Sequence, residues 1–479
     1  MAKKNYYITT TLPYVNAEPH IGFALEIAQA DVVARFKKLQ GYDVFFNFGT
    51  DEHGQKIFRK AIEEKKGPQK YVDEYAKKFD HLKEALNLSY NNFIRTTEPH
   101  HKKAAKEIWR LCKNNGFIQK GIYKAKYCVG CELEKQDSEL EEGKCPLHPN
   151  LEIELIEEEN YFFKFSLFQK KLLDLYKRNP KFVIPKHRLT EISNFVSSGL
   201  QDFSVSRLKK KMPWGIPVPD DDEHVMYVWF DALTNYISAL GWPNNPKKFK
   251  DFWGITENPN AIQFAGKDNL RQQSAMWQAM LMAAGLPPTK QILIHGFITI
   301  GGQKISKSLG NVVNPYDLVK KYGTDATRYY LLAKIPPYED GDFTYDKFEE
   351  AHNSDLANGL GNLIARVAAM ADKSNFQAPE PKPLSFSKEV VEFIGGYEFD
   401  KALDYIWYRI KRADVFINKR GVWNLNGTQK QAALTNLVGR IRQIAYDLQP
   451  FLPETAQKIE RQFKGPNIKS EKPLFPRLK

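Results

Sequence analysis

The chain has 479 residues and a mass of 55.3 kDa, too much for one ordinary core, so two to four domains are expected. Hydrophobic residues at 42% and charged residues at 27% are the proportions of a soluble globular protein, and a net charge of +13 is compatible with a nucleic-acid or phosphate-bearing partner. The opening "MAKKNYYITTTLPY" has no apolar run of signal-peptide length, and no stretch approaches the roughly 18 apolar residues of a membrane span, so a soluble intracellular chain is expected.

In chain order, "NYYITTT" from Asn5 reads as a buried strand, and "DVFFNFGTDEHG" from Asp43 reads as a second one ending in a polar loop. Between them Leu25, Ala28, Val32, Phe36 and Leu39 recur at steps of three and four, the mark of a helix packed on one face. Strand, helix and strand make a βαβ unit, whose parallel strands put ligands at their carboxyl ends. A dinucleotide fold would place G-x-G-x-x-G at the first turn; this chain has "PYVNAEPHIG" there.

Residues 1–115 thus read as the first half of a doubly wound, Rossmann-like α/β domain. Residues 116–213 change to short aromatic strands, an acidic stretch and a cysteine cluster, and read as an insertion. The parallel-sheet pattern returns over 214–298 with "HVMYVWFDAL", "AIQFAGKD" and "QILIHGF". A short α-rich region covers 299–350. Residues 351–479 read as a helical bundle, with Leu356, Leu360, Leu363 and Val367 in one apolar stripe and "QAPEPKPLSFS" as an internal loop.

"GGQKISKSLGN" sets Lys304 and Lys307 with two serines in a glycine-flanked loop, suited to swinging onto a polyanion. "PHIG", Pro19 to Gly22, lies at the mouth of the first helix, where free N–H groups favour an anion. His20 can donate to a phosphate there, and Gly22 lets a nucleotide approach the backbone. Cys128, Cys131, Cys145 and His148 read C-x₂-C-x₁₃-C-x₂-H, two ligand pairs that close a tetrahedral Zn²⁺ site with no open position, hence a structural one. Cys112 falls on an expected helix as a buried thiol.

The pairing of "HIG" after the first strand with "KISKS" after the last, together with "GTDEHGQKI", "CVGC", "YVWFDAL", "GKD", "IHGF" and "PLFPR" in order, resembles the methionyl-tRNA synthetases of class I over essentially the whole chain. The resemblance implies activation of L-methionine with ATP and Mg²⁺, then transfer to tRNA(Met), by a cytoplasmic enzyme. His20, Gly22, Lys304 and Lys307 would handle the phosphates. Leu12, Tyr14, Trp229, Ala232, Tyr236 and Gln273 would wall the methionine pocket, with Asp51 pairing the α-ammonium. Glu26, Lys267, Asp268, His295 and Gly296 would border the nucleotide. Residues 299–350 become the signature loop and a stem-contact region, and 351–479 an anticodon-binding bundle read through Asn362, Arg366 and Trp423. From Ala351 onward there are 20 Lys and Arg against 13 Asp and Glu, so this part carries +7 of the +13.

The chain departs from the family pattern at several places. Phe23 stands where a second histidine is usual, Ile305 where methionine is, Leu233 and Gln273 where proline and a pocket histidine are common, and Val422 before Trp423 where proline is usual. Two other readings were open to the sequence: a synthetase for another apolar amino acid, which needs a larger editing insertion than 116–213 provides, and a non-catalytic tRNA-binding relative, supported only by Phe23. With no appended dimerising segment after "PLFPRLK", a monomer is expected.

Overall fold

Asn5–Thr10 forms a strand whose last five residues are buried. It pairs in parallel with Asp43–Thr50, Asn5 opposite Asp43, and with Ala261–Gly266, Tyr7 opposite Ala261. From edge to edge the sheet runs Asn92–Arg95, Asp43–Thr50, Asn5–Thr10, Ala261–Gly266, Gln291–His295 and Val183–Ile184. Strands covered on both faces need no polar alternation, which is why "AIQFAG" and "ILIH" are continuous buried runs.

The computed structural model describes residues 3–305 and 310–478, which divide into two compact units. The first comprises Met1–Pro19, Tyr42–His81 and Tyr90–Ile294; the second comprises His20–Gly41, Leu82–Ser89 and His295–Lys479. Among the described residues no helix is long and apolar enough to cross a membrane.

In the first unit Trp109, Trp253 and Trp277 are fully buried, Trp253 facing Tyr7 at 6.1 Å and Trp277 at 6.0 Å. Rings of this size each remove roughly 200 Å² from water, worth about 5 kcal/mol apiece, so this aromatic layer anchors the sheet. Ile118–Cys128 and Glu154–Phe163 make a long antiparallel hairpin, flanked by Leu133–Lys135 and Phe203–Ser204.

Two expectations change here. Residues 116–213 are only partly strand: Gln169–Arg178 and Lys186–Ser197 are helices, each burying an i, i+4 pair (Leu172 and Tyr176, Ile192 and Val196), and Val183–Ile184 joins the main sheet beside Gln291–His295. The aromatic residues of this stretch outweighed its helical spacing in the sequence. "HVMYVWFDAL" is not a strand of the parallel sheet. Asp221–Met226 pairs antiparallel with Ser206–Leu208 and Pro217–Val218, and Val228–Ala232 is helical. A short apolar run reads equally as buried strand or buried helix; the helix is the element that carries Asp231 to its two histidine partners.

In the second unit the helix Ile21–Leu39 buries Leu25, Ala28, Val32 and Phe36, while Leu39, in its last turn, is exposed. Its Asp31 is fully buried and accepts from Arg35 at 2.7 Å, Arg328 at 2.8 Å and both the N–H and hydroxyl of Ser89 at 2.6 Å. Arg328, also fully buried, donates to the carbonyls of Leu86, Pro450 and Phe451 at 2.7–3.0 Å. One guanidinium thus ties the first helix to the loop before Pro453–Gln462. Beyond residue 351 the chain runs through the π-helical His352–Gly361 and the helices Asn362–Lys373, Phe399–Arg420, Gly427–Leu448 and Pro453–Gln462. Leu356, Leu360, Leu363 and Val367 are all buried, as their stripe requires.

Burial pushes the Asp31 carboxyl up, but Arg328, Arg35 and Ser89 together hold it below the usual carboxylate range. A depressed carboxyl contributes stability above its unfolded value, near 4, and that stability is lost as pH falls through the folded value. Replacing Arg328 with Met takes one of two guanidinium partners from buried Asp31 and the donor from three carbonyls, so chemical denaturation should show a loss of about 3–5 kcal/mol. The acid-dependent part of the stability should shrink with it.

Candidate active site

The strand Asp43–Thr50 delivers Asp51 at its carboxyl end, where the backbone locks it. Its N–H donates to the Pro13 carbonyl at 3.0 Å and its carbonyl accepts from Val15 N–H at 3.2 Å. The side chain is buried, and its Oδ1 meets no hydrogen-bond donor among the described residues. Burial, then the carboxylates of Asp231 and Glu132, push its pKa well above the usual range, which the His53 N–H offsets only in part.

Its acidic neighbours are each satisfied. Asp231 meets His53 Nδ1 and His101 Nε2, both at 2.7 Å, and His101 Nδ1 lies 2.8 Å from the Ser238 hydroxyl. Burial raises the Asp231 carboxyl, but the two imidazoles outweigh it and hold it at about 2. Glu52 takes two bonds from Arg95 at 2.6 and 3.0 Å and the Thr50 hydroxyl at 2.6 Å. Glu132 accepts through one carboxylate oxygen from the Tyr14 hydroxyl at 2.7 Å and the Lys56 N–H at 3.0 Å.

Of the expected pocket residues, Tyr14 forms an isolated bridge with Asp51. Tyr236 is buried; its hydroxyl accepts from the Gln273 amide at 2.7 Å, and its carbonyl accepts from the Tyr7 hydroxyl at 2.7 Å. Trp229 is half-buried with its indole N–H unpartnered among the described residues, and packs with Tyr14 against Tyr227 and Val228. Ala232 and Leu233 are buried, and Leu12 is half-buried. Lys267 and exposed Asp268 lie in the turn after Ala261–Gly266.

In the second unit His20 caps Ile21–Leu39, its Nδ1 accepting from Gly22 N–H at 3.1 Å. A neutral ring so bonded carries its proton on Nε2, as a donor. A Cβ on Gly22 would stand 2.9 Å from that ring, so the cap needs glycine there. Phe23 packs on His20 with centroids 4.2 Å apart. His295 Nε2 lies 2.9 Å from Glu26 and its Nδ1 2.7 Å from the Gly296 carbonyl; a Cβ on Gly296 would meet the Glu339 backbone at 2.2 Å. Lys304 is exposed in Gln303–Lys304, and Ile305 follows it. Lys307 lies outside the described residues.

Cys128, Cys131, Cys145 and His148 present ligand atoms all within 4.8 Å of one another. Cys131 Sγ lies 3.5 Å from Cys145 Sγ and 3.2 Å from His148 Nδ1, and Cys128 Sγ 3.8 Å from that nitrogen. A tetrahedron with metal–sulfur bonds of about 2.3 Å has edges of about 3.8 Å, so the cluster fits such an ion. Gly130 is required beside it, since a Cβ would stand 2.4 Å from the His148 ring. Cys112 is buried on Pro99–Asn114, away from this cluster.

In the helical bundle Asn362 is exposed, Arg366 meets Asp414 at 3.1 Å and Asn418 at 2.8 Å, and Trp423 is 50% exposed beside buried Val422. Sequence reasoning missed Glu132, His53, His101 and Arg207, whose guanidinium lies 5.0 and 4.6 Å from the Tyr127 and Tyr227 rings. Only the position of Glu132 after Cys131 offered a signal.

Residues 6–152 and 148–368 match the family described as tRNA synthetases class I (M). The methionine–tRNA ligase of Thermotoga maritima is 41% identical over 476 residues, covering 95% of this chain and 75% of that protein. The methionine–tRNA ligase of Rickettsia bellii is 40% identical over 493 residues, covering 99% of this chain and 94% of its own. The structure of Mycobacterium tuberculosis methionyl-tRNA synthetase in complex with methionyl-adenylate is similar with a TM-score of 0.90 and 34% identity, over 99% of this chain and 100% of that one. The chain belongs to the class I tRNA synthetase (M) family.

Asp231→Asn leaves two buried imidazoles facing an amide. Unfolding in urea at neutral pH should show a loss of about 1–3 kcal/mol, the cost of leaving buried polar groups without their hydrogen-bond partner.

Proposed function

We propose that this chain is a methionine–tRNA ligase, which activates L-methionine with ATP and then esterifies tRNA(Met). The observation that carries the reading is the buried Asp51 oxygen without a donor, in a chain about 40% identical to named methionine–tRNA ligases. A substrate α-ammonium supplies the donor and the charge that Asp51 needs.

Leu12, Tyr14, Trp229, Ala232, Tyr236 and Gln273 would enclose the methionine side chain, whose polarizable sulfur gains from aromatic edges. Asp268 would accept from ribose hydroxyls beside Lys267, and Glu26, His295 and Gly296 would border the nucleotide. The methionine carboxylate attacks the α-phosphorus of ATP; the new O–P bond forms as the bond to the bridging oxygen breaks, and pyrophosphate leaves. Negative charge gathers on the β and γ phosphates, where the Nε2–H of His20 and the ammonium groups of Lys304 and Lys307 would act. Phe23 fixes the His20 ring by packing, so a second imidazole is not needed for that. In the second step a 3′-terminal ribose hydroxyl of the tRNA attacks the activated carbonyl and AMP departs.

Magnesium would enter with ATP as its complex and neutralise phosphate charge. Zinc on Cys128, Cys131, Cys145 and His148 would be structural, since four protein ligands leave no open position. Trp423, Asn362 and Arg366 would read unstacked anticodon bases by stacking and edge hydrogen bonds. The protein would act as a cytoplasmic monomer.

Exchange of labelled pyrophosphate into ATP, without tRNA and across the twenty amino acids, tests the reading. Methionine alone should support exchange, and Lys307→Ala should lower it by roughly 10² to 10³. Exchange with a different amino acid, or with none, would overturn it.

A further inference from the structure

Glu132 directly follows the metal-cluster residue Cys131, yet its side chain is only 5% exposed and its backbone sits in the left-handed region at φ 50°, a conformation that non-glycine residues adopt at a cost. That cost needs compensation. Its carboxylate accepts the Tyr14 hydroxyl at 2.7 Å and the Lys56 N–H at 3.0 Å, both on the same oxygen, and its carbonyl accepts the Tyr227 hydroxyl. Gly54 leaves the room: a Cβ there would stand 2.1 Å from the Tyr14 hydroxyl and 2.9 Å from the Glu132 carboxylate. Tyr14 in turn bridges to Asp51 through the backbone.

We infer that Glu132 is a positioning residue for the amino-acid site, carrying the geometry of the cysteine–histidine cluster through the Tyr14 hydroxyl to the wall beside Asp51. The inference rests on the proposed methionine-activating function. Glu132 does not touch the substrate; it fixes the ring that does. Affinity for methionine depends on this bond, whereas affinity for ATP does not.

The test is methionine affinity by calorimetry, with metal content measured alongside, for Tyr14→Phe, Glu132→Ala, Glu132→Gln and the Tyr14→Phe/Glu132→Ala double variant. A hydrogen bond to a charged group is worth about tenfold or more in affinity. Tyr14→Phe and Glu132→Ala should each weaken methionine binding by that factor, and the double variant should be no worse than either. Glu132→Gln should recover most of the loss, because its amide oxygen can accept the same two bonds. The KM for ATP and the metal content should stay as in the parent protein. The inference is overturned if Tyr14→Phe, which keeps the ring and the fold, binds methionine within about twofold of the parent, or if the two losses add. It is equally overturned if Glu132→Gln is as weak as Glu132→Ala with metal retained. The underlying functional reading fails separately, if the unaltered chain does not bind methionine at all.

Discussion

A carboxylate taken out of water with one oxygen bare costs several kcal/mol, and Asp51 is held in that condition by its own backbone. Three further acids lie close in sequence or space, and each is handled differently. Glu52 is paired with Arg95, Asp231 is hydrogen-bonded to His53 and His101, and Glu132 is bonded by Tyr14 and the Lys56 amide. Asp51 has only the His53 N–H in partial compensation, and the carboxylates of Asp231 and Glu132 raise its proton affinity further. A fold that satisfies its neighbours and leaves this oxygen without a donor is what the proposed α-ammonium contact would use.

The second unit solves a different problem with similar means. Its first helix is capped by His20, and Asp31, three turns further along, anchors it through Arg328 and Arg35. A buried ion pair contributes little net stability against a well-packed apolar substitute, but it tolerates no shift of either partner. Arg328 meets four oxygens from three segments of the chain, so it fixes the helix's position more than it holds the unit together. The glycines at 22 and 296 have the same logic at smaller scale, admitting a ring or a backbone that any Cβ would displace.

Much of this was legible in the sequence. The strands at Asn5–Thr10, Asp43–Thr50, Ala261–Gly266 and Gln291–His295 were visible as apolar runs, because a strand buried on both faces has no polar positions to disguise it. The four-residue metal set was visible through its spacing, and the bundle's stripe through its period. "HVMYVWFDAL" misled because ten residues, eight of them apolar, carry no clear period, and the partners of its buried Asp231, His53 and His101, are distant in sequence. Glu132 was missed for a related reason: despite its position after Cys131, an acid in an acid-rich stretch looks solvated, and its inward turn depends on a left-handed φ that no local residue type announces.

The most direct test of the claim that Asp51 is the ammonium acceptor compares methionine with its deaminated analogue, 4-(methylthio)butanoate, by calorimetry in the unaltered chain and in Asp51→Asn. If the buried carboxylate is what the ammonium fills, the unaltered chain prefers methionine by at least about a hundredfold, and the preference vanishes in the variant while the analogue binds both equally. A preference for methionine that survives Asp51→Asn would contradict the account and move the ammonium site elsewhere.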